Sequence, residues 1–272
     1  VDKSKHKLTS TSDSGKHKID FSLRDVPAVS QFVQRDAEMC ELERLLLDNP
    51  ATTRRQKVVL LYGLGGIGKT QLAVEFAREH HGRFSSVVWL DGSSEASLKQ
   101  SFAAMVRRLP RSELTADGVE MLKHFDVDVG VRECLRWLSL PTNRHWLLIF
   151  DNVDRDFRNA EDPQAYNVKA YLPSTDHGSV LITSRLARLQ RHGPGVKVGT
   201  VNAEQARAIL ENNAGRAIEG KLNIAHLSKS AAKLTILLQA PTPYLIDSMD
   251  FLWPLPRPAR TCKRLTCLHR PT

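Results

Sequence analysis

Cysteine is scarce in this chain. Cys40, Cys134, Cys262 and Cys267 are the four in 272 residues. Their irregular spacing excludes a disulfide scaffold and points to a reducing cytosol. Long apolar runs are missing too. None approaches the roughly 20 residues of a membrane-spanning helix, and no signal peptide precedes the first charges. The expected location is therefore the cytoplasm. Acidic residues are absent from the C-terminal stretch. Residues 251–272 carry Arg257, Arg260, Lys263, Arg264 and Arg270 and no Asp or Glu. The formal net charge is +9, of which residues 1–20 hold +2 and residues 251–272 hold +5, so the rest of the chain carries +2. The basic balance thus belongs to the ends. A nucleic-acid partner, which needs a basic face on the folded domain, is not expected. The first residue is Val1 rather than Met, so a fragment of a longer protein is expected.

What is present is a phosphate loop. Residues 58–62 form an apolar, β-branched run that reads as a strand buried on both faces. Gly63 to Thr70 then matches G-x-x-x-x-G-K-[ST], with Gly65, Gly66, Ile67 and Gly68 inside the loop. Gln71 and the residues after it are good helix formers. Strand, glycine loop and helix stand in the order this motif requires. Glycine lets the backbone close around a phosphate, and the N–H groups of the loop and helix start point at the anion. Lys69 can reach the β- and γ-phosphates, and Thr70 can offer its oxygen to Mg²⁺. A plain glycine turn between core elements would leave Lys69 and Thr70 at the helix start without a reason.

The remainder alternates strands and helices. Strands are expected at 85–91, 146–151 and 178–184, with a short one in 195–201. Helices are expected at 35–47, with Asp36 as N-cap, at 95–109, within 111–140 and at 203–214. Leu122, Leu135, Trp137 and Leu138 are expected in the core. This order predicts an α/β fold with a parallel sheet covered on both faces. Residues 1–20 read as a disordered lead and 203–240 as part of a helical subdomain. Residues 241–272 hold six of the thirteen prolines and read as an irregular basic tail. Cys262, Cys267 and His269 lie in that tail, but their spacing matches no common zinc pattern and a fourth ligand is missing.

In such sheets ligands sit beyond the carboxyl ends of the strands. Asp151 ends an apolar strand there, where a carboxylate can serve Mg²⁺. Asn152 follows. An amide orients water but accepts no proton from it. Arg185 closes the strand at 178–184, where a cation can sense a γ-phosphate. No N-K-x-D guanine signature occurs, which leaves adenine as the base.

Five segments together resemble a known family. They are Phe32-Val-Gln-Arg-Asp36, Gly63 to Thr70, Val88-Trp-Leu-Asp91, Leu147-Leu-Ile-Phe-Asp-Asn152 and Gly178 to Arg185. In this order they are similar to the NB-ARC domain of signal-transducing P-loop NTPases, and Trp89 to Phe102 is most like fungal NOD-like receptors. The likeness covers about residues 21–215, with the nucleotide-binding domain at 21–202. It implies a three-layer P-loop fold of about five strands, with the strand ending at Arg185 between those ending at Tyr62 and Asp151. It implies an adenine nucleotide, ADP at rest and ATP in an oligomeric active state, with Mg²⁺. It also implies effector and repeat domains in a full-length chain, or self-association. By motif, Val33 and Arg35 would pack near adenine. Gly66, Gly68, Lys69 and Thr70 would wrap the phosphates, Thr70 and Asp151 would serve Mg²⁺, and Arg185 would be the sensor. Gln34 stands where the family usually has Gly, and Asn152 where Asp is frequent. No Gly-Leu-Pro-Leu or downstream histidine motif is present. The reading is a nucleotide switch with slow or no hydrolysis. Its alternatives are an active ATPase of remodelling or kinase-like type, or a binding-only remnant.

Overall fold

A computed structural model describes residues 17–23, 26, 31–47, 55–155, 157 and 162–215. The expected tail at 241–272, including Cys262, Cys267 and His269, lies outside the described residues. So does most of the lead.

Five parallel strands form one sheet. They are β1 (Lys57–Tyr62), β2 (Ser86–Asp91), β3 (Trp146–Asp151), β4 (Ser179–Ser184) and β5 (Gly195–Lys197), in the order β2-β3-β4-β1-β5. β4 lies between β1 and β3, as the family likeness implies. The register sets Tyr62 beside Ser184 and Asp91 beside Asp151. Four strands therefore end near one level, and the loops that follow them meet there.

The strands are apolar throughout because both faces are covered. Val59, Leu61, Leu147, Ile149 and Leu181 pack with α1 (Asp36–Leu46) and α2 (Lys69–His80) through Leu42, Leu72 and Phe76. Leu60, Leu148, Phe150, Val180 and Ile182 pack with α3 (Glu95–Val106), α4 (Ala116–His124) and α5 (Val127–Leu138) through Phe102, Met121 and Trp137. Alternate residues of one strand thus feed two separate cores, as the two-residue strand period requires. Trp137 and Leu138 are fully buried, and Leu122 and Leu135 pack at the edge of that core.

Helix starts are fixed by short polar side chains. Ser94 caps α3, Thr115 caps α4 and Asp126 caps α5, each accepting from a backbone N–H of the first turn. The last helix, α6 (Ala203–Ala214), opens with a capping box of Asn202 and Gln205. At α1 the expected cap is displaced. Arg35 is the N-cap, its carbonyl accepting from Met39 N–H at 2.9 Å, and Asp36 is the first helical residue. Asp36 still suits the positive end of the helix.

The packing begins within the stretch whose composition reads as a lead. His17 and Ile19 are buried. His17 Nδ1 is 2.6 Å from Glu113 Oε2, and its Nε2 is 2.8 Å from Thr142 Oγ1. Ile19 N–H donates to Ser85 O at 3.3 Å, just ahead of β2.

Candidate functional site

The loop from Gly63 to Gly68 joins β1 to α2. Its last glycine, Gly68, is the N-cap of α2 at φ 98°, a left-handed conformation that a side chain resists. The first turn of α2 then carries Lys69, Thr70 and Gln71. Lys69 is only 7% exposed. Its Nζ donates to Leu64 O at 2.9 Å and Gly63 O at 3.1 Å. An ammonium has three protons, so one is left for another acceptor. Burial holds the Lys69 ammonium below the ordinary lysine value. Asp154 and Asp151 pull it back up, and Arg185 pushes it further down. A buried cation beside backbone donors is a receptor for anionic oxygen.

Asp151 ends β3 and is 3% exposed. Thr70 Oγ1 donates to its Oδ1 at 2.9 Å, and Thr183 Oγ1 donates to the same oxygen at 2.5 Å. Burial pushes the Asp151 carboxyl above the usual range. The two hydroxyls oppose that shift, and nearby Asp91 adds to it. Asp151 thus joins the helix start of α2 to the ends of β3 and β4.

Asn152 is one residue further and exposed, with φ 62°. Its backbone N–H donates to Thr183 Oγ1 at 2.9 Å, and its Nδ2 lies 3.3 Å from Asp151 Oδ2. The amide is thus beside the carboxylate, on the rim of the site.

Arg185 follows β4. Its backbone N–H donates to Asp154 Oδ1 at 2.6 Å, and its Nε pairs with Asp154 Oδ2 at 2.8 Å. Its guanidinium lies over Gly65 of the phosphate loop. A Cβ at Gly65 would stand 3.1 Å from Cζ of Arg185. Arg185 and the loop are therefore neighbours.

Arg35 reaches the loop from the other side. It is 5% exposed. Its Nη1 donates to Ile67 O at 2.9 Å, and its Nη2 to Glu38 Oε1 at 2.9 Å and to Gly199 O. Gln205 Nε2 of α6 donates to Gln34 O at 2.8 Å. The segment holding Val33, Gln34 and Arg35 is thereby tied to the loop and to the start of α6.

The NB-ARC domain family matches residues 36–219, more than half of the chain. The chain belongs to the NB-ARC domain family. A nucleotide-binding leucine-rich repeat (NLR)-like protein of Hyaloscypha variabilis is 23% identical over 228 residues, which are 75% of this chain and 22% of that protein. Disease resistance protein RGA2 of Solanum bulbocastanum is 28% identical over 166 residues, 58% of this chain and 15% of that protein. The chain spans a minor part of the length of both relatives. Among solved structures, Cdc6p of Pyrobaculum aerophilum is similar over 71% of this chain and 53% of its own, with TM-score 0.45 and 12% identity. PCH-2 of C. elegans is similar over 70% of this chain and 46% of its own, with TM-score 0.31 and 15% identity.

In this NB-ARC domain, Lys69, Thr70, Asp151, Asn152 and Arg185 gather at the carboxyl ends of β1, β3 and β4. Arg35 touches the loop at Ile67 rather than standing apart from it. Val33 is half-buried in the same segment. Two residues of the site escaped sequence reasoning. Thr183 is a polar residue with no exposed surface inside an apolar strand, and that mismatch is a signal. Asp154, three residues after Asp151, carries no such mark. Among the described residues no helix is long and apolar enough to cross a membrane.

Proposed function

We propose that this NB-ARC domain is an adenine-nucleotide switch that takes ADP or ATP with Mg²⁺ and hydrolyses slowly or not at all. The observation that carries it is the pairing of Thr70 with Asp151 beside Lys69. Mg²⁺ takes oxygen ligands in a near-ideal octahedron, and neighbouring ligands at 2.0–2.1 Å stand about 2.9 Å apart. Thr70 Oγ1 and Asp151 Oδ1 are 2.9 Å apart. Both are hard oxygen donors, so the residues present fit the ion. Bound Mg²⁺ would neutralise phosphate charge. Lys69 and the loop N–H groups would hold the phosphates, and Arg35 with Val33 would flank the base.

Slow turnover is supported by the acids near the loop. Asn152 has no basic lone pair for a water proton. Asp154 is engaged by Arg185, through the backbone N–H and in an ion pair with Nε. A switch needs long-lived states, and a ligand shifts them only by its differential affinity. The names of the two relatives support placing the switch in a protein of NLR or disease-resistance type; a cytoplasmic location and effector or repeat domains as partners belong to the same proposal. Mass spectrometry of nucleotide released from the purified protein tests the reading. ADP or ATP is expected. Guanine nucleotide instead, or no calorimetric binding of either adenine nucleotide, would overturn it. Turnover of roughly 1 s⁻¹ or more would make the protein an ATPase and not a switch.

A further inference from the structure

We infer that Asp154 is the positioning residue that aims Arg185 at the phosphate end of a nucleotide, and that Gly65 lacks a side chain so that the guanidinium has room to lie there. This rests on the nucleotide reading above and adds to it the part that sets the sensor.

Asp154 holds Arg185 at two points. One carboxylate oxygen accepts from the backbone N–H at 2.6 Å, and the other forms an ion pair with Nε at 2.8 Å. Ser184 Oγ stands 3.4 Å from the same carboxylate and donates to Val153 O at 2.5 Å. The end of β4 and the segment after β3 are thereby locked together. The ion pair at Nε keeps the guanidinium beside the Asp154 carboxylate. The Nη1 and Nη2 edge is left open: among the described residues nothing accepts from it. Two parallel N–H bonds from such an edge are the arrangement that suits a phosphate.

The loop supplies the opposite wall. A Cβ on Gly65 would stand 3.1 Å from Cζ, 3.2 Å from Nε and 3.4 Å from Nη1 of Arg185. Cζ and Nε are closer than ordinary contact and Nη1 is at its edge, so the side chain lies across the loop at this glycine. The Arg185 side chain is 64% exposed and that of Asp154 25%. An exposed ion pair adds little to stability. The ion pair itself therefore adds little to the backbone and Ser184 bonds that join the two segments. It is well explained as a device that removes the rotamer freedom of a long side chain before its anion arrives, and so lowers the cost of binding.

Four proteins test this: the wild type, Asp154→Asn, Arg185→Gln and the double variant. Calorimetry with ADP and with ATP, both with Mg²⁺, gives affinities. Asp154→Asn and Arg185→Gln should each weaken ATP binding by on the order of tenfold and reduce the ATP-to-ADP preference together. The double variant should be no weaker than Arg185→Gln. Additive losses, an unchanged Asp154→Asn, or tighter ATP binding by Asp154→Asn would each refute the role. A ¹H–¹⁵N spectrum supplies a readout independent of nucleotide. The Arg185 backbone N–H signal should lie downfield in the wild type, where it donates to Asp154 Oδ1 at 2.6 Å, and move upfield in Asp154→Asn. If that signal behaves so but the wild type binds neither nucleotide, the nucleotide reading fails and takes the aiming role with it. If the wild type binds and Asp154→Asn binds equally well, only the aiming role fails. Should Asp154→Asn not fold, Gly65→Ala displaces the guanidinium from the other wall. It should then reproduce the ATP loss of Arg185→Gln, and unaltered ATP binding would overturn the inference.

Discussion

Lys69→Met separates phosphate binding from folding. The methionine keeps the length and apolar volume of the lysine stem and deletes the charge. In the folded protein Lys69 donates to Gly63 O and Leu64 O, and its ammonium is held below the ordinary value by burial. The two carbonyls belong to residues that are half-buried and exposed, so water replaces the lost donor. Each bond to a charged donor is worth about 1.5–3 kcal/mol, but burying the ammonium offsets much of that. The unfolding free energy should change by no more than about 1 kcal/mol, equivalent to roughly 2–4 °C in Tm for a domain of this size. The nucleotide loses a charge-assisted partner in a sheltered site, a truncation that costs about 2–5 kcal/mol. At 1.4 kcal/mol per tenfold, affinity falls roughly 30- to 4000-fold. Calorimetry with ADP and ATP and thermal unfolding by circular dichroism measure both quantities on the same samples. Affinity within about threefold of the wild type would show that the loop does not hold phosphate through Lys69. A Tm loss above about 10 °C would show that Lys69 is a structural residue instead.

Other outcomes follow from named contacts. Asp151→Asn should remove the Mg²⁺-dependent part of nucleotide affinity and yet raise Tm of the nucleotide-free protein at pH 7. Its carboxyl is pushed above the usual range, so the favourable neutral form is present below the unfolded value of about 3.9 and lost as pH rises through the folded value. The Tm gap between variant and wild type should therefore close in acid, and a gap that widens in acid contradicts the burial argument. Asn152→Asp should raise single-turnover hydrolysis with little change in affinity, since a general base is worth roughly 10²–10⁴-fold. An unchanged rate would mean that Asn152 does not face the attacking water. Gly178→Ala should cost about 3 kcal/mol or more in urea unfolding. Gly178 has φ +81°, and a Cβ there would meet the fully buried Trp146 ring at 2.2 Å. A loss below about 1 kcal/mol would mean that this ring has room to move.

Much of the sheet is legible because both its faces are buried. Residues such as Leu147, Leu148, Ile149 and Phe150 need no alternation to mark a strand, and Pro110 marks the end of a helical run. The phosphate loop is legible because its chemistry demands fixed residue types at fixed spacing. Asp154 is not, since an Asp after a strand is equally at home in any turn. Its role depends on Arg185, which is far away in sequence and reached only through the pairing of β3 with β4. The burial of His17 is hidden for a similar reason. Its partners, Glu113, Thr142 and the edge of Trp137, come from distant loops and α5, while its neighbours in sequence are lysines and serines. Arg35 stands as N-cap in place of Asp36, and its side chain donates to carbonyls at Ile67 and Gly199, contacts that local propensity does not see.

The buried guanidinium of Arg35 gives the domain a mechanical property. One side chain grips the loop at Ile67 and the chain at Gly199, four residues before α6, while Gln205 of α6 grips Gln34 next door. A pull on α6 is therefore borne first by the bonds at Gln34 and Gly199, and then by Ile67. Arg35 acts as the pin of a lever whose short arm is the phosphate loop and whose long arm is α6. Tension on α6 reaches the loop through Arg35, and also through the bond from Val198 N–H to Tyr62 O at 2.8 Å. Slack in the loop is passed outward by the same routes.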